Sequence, residues 1–170
     1  MQQALAFTIY CLPFSIKRMV HDFQLARKRV RLWQRLGESY EHVLMKALGY
    51  ALFIEKFPQM EIEKKVGLRY KPDLVAQDAT GNFIFWGEAG DNSIRKTLWL
   101  LKHARVERFV LFKIAINEAQ FVKQIREEIP QKYRLERRLS LINFVSGIKD
   151  LTAAKQIEKV SKDWFTETEI

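Results

Sequence analysis

Residues 71–90, "KPDLVAQDATGNFIFWGEAG", constrain the fold more than any other stretch, because they predict two strands joined by a tight turn. The turn "DATGN" supplies Gly81 between two extended segments. Asp73 and Glu88 stand at similar distances from this turn, so antiparallel pairing brings them opposite one another. The sequence therefore predicts two carboxylates that meet on one hairpin.

Alternating strands and helices surround this hairpin along the chain. Apolar residues recur at helical spacing from Tyr40 to Leu52, and Phe57-Pro58 closes that run. The remaining predicted elements are extended segments at 60–68, 72–78 and 82–89, a helix capped by Asn92-Ser93, a buried strand "RFVLFKIAI", a helix "NEAQFVKQIREEIP" and a strand "RLSLINFV". This order predicts a single α/β domain with a central mixed β-sheet flanked by helices.

The N-terminal region has the composition of a β-hairpin. Residues 4–16 and 20–33 are rich in β-branched and aromatic side chains and are predicted to be two strands joined near Lys17-Arg18. The apolar run "ALAFTIYCLPF" is too short to span a bilayer, so we expect a strand and no membrane anchor. The predicted organisation is an N-terminal hairpin (1–36), a core (37–146) and a polar C-terminal tail (147–170).

Composition narrows the choice of compartment and partner. The single cysteine, Cys11, excludes an internal disulfide framework and a cysteine zinc cluster, so we expect a cytoplasmic protein. His21, His42 and His103 lack ligand spacing and are predicted to be surface residues. The net charge of +9 over 170 residues favours nucleic acid as the partner, although it is also compatible with general solubility.

A basic segment, "ARKRVRLWQR", lies in the second predicted strand. Arg27, Arg29 and Arg31 would share one face of an unbroken strand and could follow a phosphate backbone. An edge strand protected by charge explains the same pattern equally well.

The paired carboxylates suggest a cation site. Two acids near the centre of a sheet repel one another unless a cation or a proton lies between them, and oxygen ligands of this kind suit Mg²⁺ or Mn²⁺. The alternative is that Asp73 pairs with Lys71 or Arg69 and that Glu88 pairs with Arg95. A third acid on the first helix, Glu41 or Glu38, could face the same point, and the sequence does not separate the two.

In this chain "PD", a hairpin and "EAG" lie between a helix that carries Glu41 and a helix with Arg95-Lys96, and this order resembles the PD-(D/E)XK phosphodiesterase superfamily. The segments "FTIY", "GESYEHVLMKALGYAL", "KPDLVAQDATGNFIFWGEAG" and "IRK" are similar to the YaeQ family within it. This resemblance implies a restriction-endonuclease-like αβββαβ core, with Glu41, Asp73 and Glu88 as ligands of a divalent cation.

The resemblance also implies a catalytic lysine two residues after the second acid, where this chain has Gly90. Lys96 on the next helix is the expected substitute, and Arg95 is a second candidate that could also contact nucleic acid. The expected function is therefore Mg²⁺- or Mn²⁺-dependent hydrolysis of nucleic acid by Glu41, Asp73, Glu88 and Lys96. The alternative is a catalytically inactive nucleic-acid- or protein-binding module on the same scaffold.

Overall fold

The computed structural model describes residues 19–135 and 138–170 and contains nine strands and four α-helices within those ranges. In chain order they are β1 (Met19–Leu25), β2 (Lys28–Gln34), α1 (Tyr40–Phe53), β3 (Glu61–Ile62), β4 (Leu74–Gln77), β5 (Phe83–Ala89), α2 (Ile94–His103), β6 (Phe109–Ile114), α3 (Glu118–Glu128), β7 (Leu139–Phe144), α4 (Ile148–Leu151), β8 (Gln156–Ile157) and β9 (Phe165–Glu169). Among these residues, no helix is both long and apolar enough to cross a bilayer.

The main sheet has six strands in the order β3-β4-β5-β6-β7-β9. Its central strands β5, β6 and β7 run parallel, whereas β3, β4 and β9 pair antiparallel with their neighbours. From α1 to β6 the chain follows the predicted order of helix, three strands, helix and strand. The prediction of an α/β domain with a mixed sheet is confirmed.

Helices cover both faces of the main sheet, and the alternation along β6 explains why. Val110 and Phe112 enter the apolar core that contains α1, and Phe109 and Leu111 enter the core that contains α2 and α3. Because both faces are buried, this strand reads as a continuous apolar run. A Cβ added at Gly49 would lie 2.7–2.8 Å from side chains of the sheet, so α1 packs closely against it.

A second sheet of three strands, β2-β1-β8, lies against the other side of α1. The prediction of one unbroken strand over 20–33 is wrong, because β1 and β2 form a hairpin with Met19 opposite Gln34. Its turn uses Ala26 and Arg27, both with positive φ, at 40° and 72°. The other predicted strand, 4–16, the predicted junction at Lys17-Arg18 and Cys11 lie outside the described residues.

The C-terminal segment 147–170, expected as a polar tail, contributes strands to both sheets. β8 pairs parallel with β1, and β9 pairs antiparallel with β7 at one edge of the main sheet. The main sheet therefore extends beyond residue 146, the expected end of the core.

Candidate functional site

Asp73 lies immediately before β4, on the hairpin formed by β4 and β5. The pairing of Leu74 with Gly87 continues by one step to place Asp73 opposite Glu88, which agrees with the predicted hairpin. Its Oδ2 accepts a hydrogen bond from the amide of Ala89 at 2.8 Å, and its Oδ1 lies 3.3 Å from Nε2 of His42. The backbone of β5 therefore fixes one carboxylate oxygen, and α1 supplies the group beside the other.

Glu88 is the buried acid of the pair, with 3% of its surface exposed. Its Oε1 accepts a hydrogen bond from the indole of Trp86 at 2.8 Å, and its Oε2 accepts one from Nζ of Lys96 at 2.5 Å. Burial raises the pKa of Glu88 to about 7, and the charge of Asp73 adds to this effect, whereas Lys96 and Trp86 oppose it. The negative charge of the two acids is thus incompletely compensated.

Lys96 reaches Glu88 because of the way α2 begins. The side chain of Ser93 caps the helix by accepting a hydrogen bond from the amide of Lys96, which fixes this residue in the first turn. Its ammonium contacts Glu88 and lies 5.6 Å from the centroid of the Tyr70 ring. The structure thus brings Lys96 to Glu88, the buried acid of the hairpin, while the neighbouring Arg95 is exposed.

Gly90 has no room for a side chain in this arrangement. Its φ is +68°, and a Cβ would lie 2.8 Å from Nδ1 of His42. The same imidazole contacts Asp73 through Nε2, so His42 is a partly buried member of the site and the prediction of a surface residue is wrong. His21 is likewise buried and hydrogen-bonds with Gln34.

The two acids at the start of α1 have different partners. Glu41 binds Lys149 at 2.7 Å, and this hydrogen bond lowers the pKa of its carboxyl group. Glu38 lies before the N-cap residue Ser39, and its Oε1 is 3.4 Å from Nε2 of His42. Of the two alternatives, Glu38 is the acid that shares a histidine with Asp73.

A chain of ion pairs connects this region to β3, and the sequence did not predict it. Lys46 is 1% exposed and binds Glu38 at 2.6 Å and Glu63 at 2.7 Å. Burial tends to raise the pKa of Glu63, but hydrogen bonds and charge from Lys46 and Lys71 outweigh it and hold the pKa at about 2. The available signal was a lysine within the apolar run "HVLMKAL" of α1.

The carboxylates of Asp73 and Glu88 fit a divalent cation chemically. Each oxygen has one hydrogen-bonding or ionic neighbour and keeps lone-pair capacity, and the raised pKa of Glu88 indicates negative charge that a cation would relieve. Within residues 19–135 and 138–170, no group of three or more His, Cys, Asp or Glu side chains is arranged as a metal site. Mg²⁺ needs only one or two protein carboxylates, because water and substrate phosphate supply the other ligands.

The arginines predicted to contact nucleic acid lie on two separate surfaces. Arg29 and Arg31 both bind Asp22 on β1, at 2.9 Å each, and Arg27 occupies the β1–β2 turn. β2 is an edge strand of its sheet, so these arginines agree with the alternative interpretation, an edge strand protected by charge. Arg95 lies instead in the first turn of α2, next to Lys96.

Comparison with solved structures identifies the fold. The crystal structure of YaeQ protein from Xanthomonas axonopodis pv. citri superposes with a TM-score of 0.58 and 16% identity, over 82% of this chain and 80% of that one. The crystal structure of YaeQ protein from Pseudomonas syringae gives a TM-score of 0.60 and 13% identity, over 89% of each chain. No protein-family model and no curated protein matches this sequence. At these identities the likeness establishes a shared fold.

Proposed function

We propose that this chain is a YaeQ-like member of the PD-(D/E)XK superfamily and hydrolyses phosphodiester bonds of nucleic acid with Mg²⁺ or Mn²⁺. The observation that carries the proposal is the convergence of Asp73, Glu88 and Lys96. The Lys96 ammonium lies 2.5 Å from Glu88, and the Asp73 carboxylate is bound to the amide of the next residue, Ala89. The shared fold and the net charge of +9 are consistent with it.

Each residue has a distinct role in this proposal. Asp73 and Glu88 hold the cation, which when bound polarises water and offsets charge on the phosphodiester. The indole of Trp86 and the amide of Ala89 fix the two carboxylates, so that little reorganisation is needed. The Lys96 ammonium supplies the positive charge that active members of the superfamily carry at the position of Gly90.

The third acid is a choice between Glu38 and Glu41. We propose Glu38 as the one that acts at the site, because its carboxylate reaches the histidine that contacts Asp73. Both acids are in ion pairs, but the Lys46 partner of Glu38 leaves it beside His42, whereas Glu41 would have to leave Lys149 to reach the site. Comparing cleavage by Glu38→Gln and Glu41→Gln tests this choice, and a larger loss in Glu41→Gln would reverse it.

Cleavage assays with purified protein test the proposal directly. We expect single- or double-stranded DNA or RNA to be cut with Mg²⁺ or Mn²⁺ and to remain intact in EDTA. Asp73→Asn should abolish cleavage, because the amide oxygen can still accept the Ala89 hydrogen bond but the charge is gone. Glu127→Gln, which removes an exposed acid on α3, is the matched control and should cleave normally. If the wild-type protein cuts none of these substrates, it is not a nuclease.

A second candidate is a catalytically inactive module that binds nucleic acid or protein. One observation favours it: each carboxylate oxygen of Asp73 and Glu88 already has a histidine, a lysine or an N–H donor beside it, so every oxygen has a polar partner without metal. Calorimetry with Mn²⁺ separates the two functions. Metal binding that is lost in Asp73→Asn supports hydrolysis, whereas salt-dependent nucleic-acid affinity without metal binding supports the inactive module.

A further inference from the structure

A continuous cleft begins beside His42 and Gly90, which adjoin the proposed site, and follows the ends of the parallel strands. A cavity of about 520 Å³ beside His42 and Gly90 adjoins a second, of about 540 Å³, because Asp91, Lys113 and Ile116 line both. A third cavity, of about 490 Å³, shares Asn92, Ser93, Phe121 and Gln124 with the second and extends to Arg95. We call these three cavities the Lys113 cleft. Crevices at the carboxyl ends of parallel strands are common ligand sites in α/β folds.

Lys113 lies at the junction of the first two cavities, near the end of β6, and is 7% exposed. Its ammonium donates one hydrogen bond, at 2.5 Å, to the carbonyl oxygen of Gly90. The carboxylate paired with it is that of Asp91, which is 3.9 Å away and fully exposed. The ammonium also lies 5.1 Å from the centroid of the Phe121 ring, and burial lowers the pKa of Lys113 while the charge of Asp91 acts against this.

Around Lys113 the cleft has features that favour an anion, although the acids Glu38, Glu41, Asp91 and Glu128 also line it. α2 and α3 both begin at the cleft, and their N-cap residues Ser93 and Asn117 line the second cavity. The first turn of α2 contains no acid to offset the positive end of the helix dipole, whereas that of α3 contains Glu118. The side-chain amide of Gln120 adds a neutral donor at the same cavity, whereas those of Asn92 and Gln124 donate to Thr97 and Glu128.

We propose that Lys113 binds a backbone phosphate of the nucleic acid, adjacent to the phosphodiester at Asp73 and Glu88. The assignment rests on the proposed function, because it describes how that substrate would lie. Lys113 binds the carbonyl of Gly90, two residues after Glu88, which puts the bound phosphate next to the proposed cleavage site. From there the cleft leads to Arg95, so a nucleic-acid strand bound in the cleft would contact a second cation.

Fluorescence anisotropy with a labelled single-stranded oligonucleotide in EDTA tests this subsite without cleavage. Lys113→Met should weaken binding about tenfold and reduce the slope of log affinity against log salt by about one, while Lys113→Arg retains most of the affinity. Lys123→Met, an exposed lysine of α3 outside the cleft, should change affinity less than twofold.

Gln120→Glu tests the same idea without removing a buried side chain. Gln120 is exposed and is the third residue of α3 after the N-cap Asn117. Both glutamine and glutamate are favoured at this position of a helix, so α3 should remain folded. The added charge at the cleft should weaken oligonucleotide binding several-fold. Gln131→Glu adds the same charge to an exposed position that lines none of the three cavities and should have little effect.

The outcomes separate this subsite from the proposed function. Normal binding by both Lys113→Met and Gln120→Glu would overturn the subsite, even if the wild-type protein cleaves nucleic acid. Weakened binding by both variants would support the subsite, even if no cleavage is found. Inorganic phosphate binding that Lys113→Met abolishes, with unchanged oligonucleotide affinity, would instead assign the pocket to free phosphate and overturn the proposal.

Discussion

Glu88 should make the stability of this protein depend on pH in a way that one substitution removes. Its pKa is raised by burial from an ordinary value of 4.5 to about 7. An acid with a higher pKa in the folded chain binds protons on folding, so its contribution to stability is fully present below pH 4.5 and is lost as the pH rises through about 7. Glu88→Gln cannot ionise and lacks this dependence.

The size of the effect follows from the two pKa values. Each unit of difference corresponds to about 1.4 kcal/mol between the protonation states. Between pH 5 and pH 8, wild-type protein should therefore lose roughly 2 to 3 kcal/mol relative to Glu88→Gln. For a chain of 170 residues this is a relative shift in Tm of about 5 to 10 °C.

Urea unfolding of both proteins at several pH values, in EDTA, measures this difference. Subtracting the two curves removes the titration of groups that the variants share, and Glu127→Gln controls for the loss of an exposed acid. If the stability difference between wild type and Glu88→Gln changes by less than about 0.5 kcal/mol from pH 5 to pH 8, the carboxyl group of Glu88 is solvated and burial does not raise its pKa.

Two further substitutions test the packing around the site. Gly90→Ala should destabilise the protein by about 2 to 3 kcal/mol, because Gly90 has a positive φ and because the new Cβ would contact His42. In a His42→Ala background the contact is absent, so only the φ contribution of about 1 to 2 kcal/mol should remain. Equal costs in both backgrounds would mean that the imidazole moves aside freely. Lys46→Met should lower the free energy of unfolding in urea by about 2 to 3 kcal/mol, because Glu38 and Glu63 lose their shared cation. A decrease below about 1 kcal/mol would contradict a stabilising role for that cation.

The central elements were predictable because each carries a strong local signal. Helical spacing of apolar residues gave α1, the turn at Gly81 gave the hairpin with its paired acids, and the unbroken apolar run gave β6. In all three cases the local conformational preference of the residues and their burial pattern indicate the same element, so one sequence is enough to predict it.

Other features depend on contacts that a single sequence does not display. The β1–β2 turn has positive φ at Ala26 and Arg27, residues that carry none of the usual turn chemistry. β9 is an edge strand of polar composition, so it lacks the apolar pattern of a central strand. Glu38 precedes the cap of α1, and helical periodicity therefore does not fix the direction of its side chain.

The position of Gly90 explains why the ammonium beside the hairpin acids comes from α2 and not from the end of β5. The Gly90 amide donates to the carbonyl of Phe112, and its carbonyl accepts from Lys113, so its backbone is bound to β6 at both ends. A side chain there would displace His42 from Asp73. Lys96 instead reaches Glu88 from the first turn of α2, which the Ser93 cap holds in place. The glycine is thus a requirement of the packing around His42, and its presence is no argument against hydrolysis.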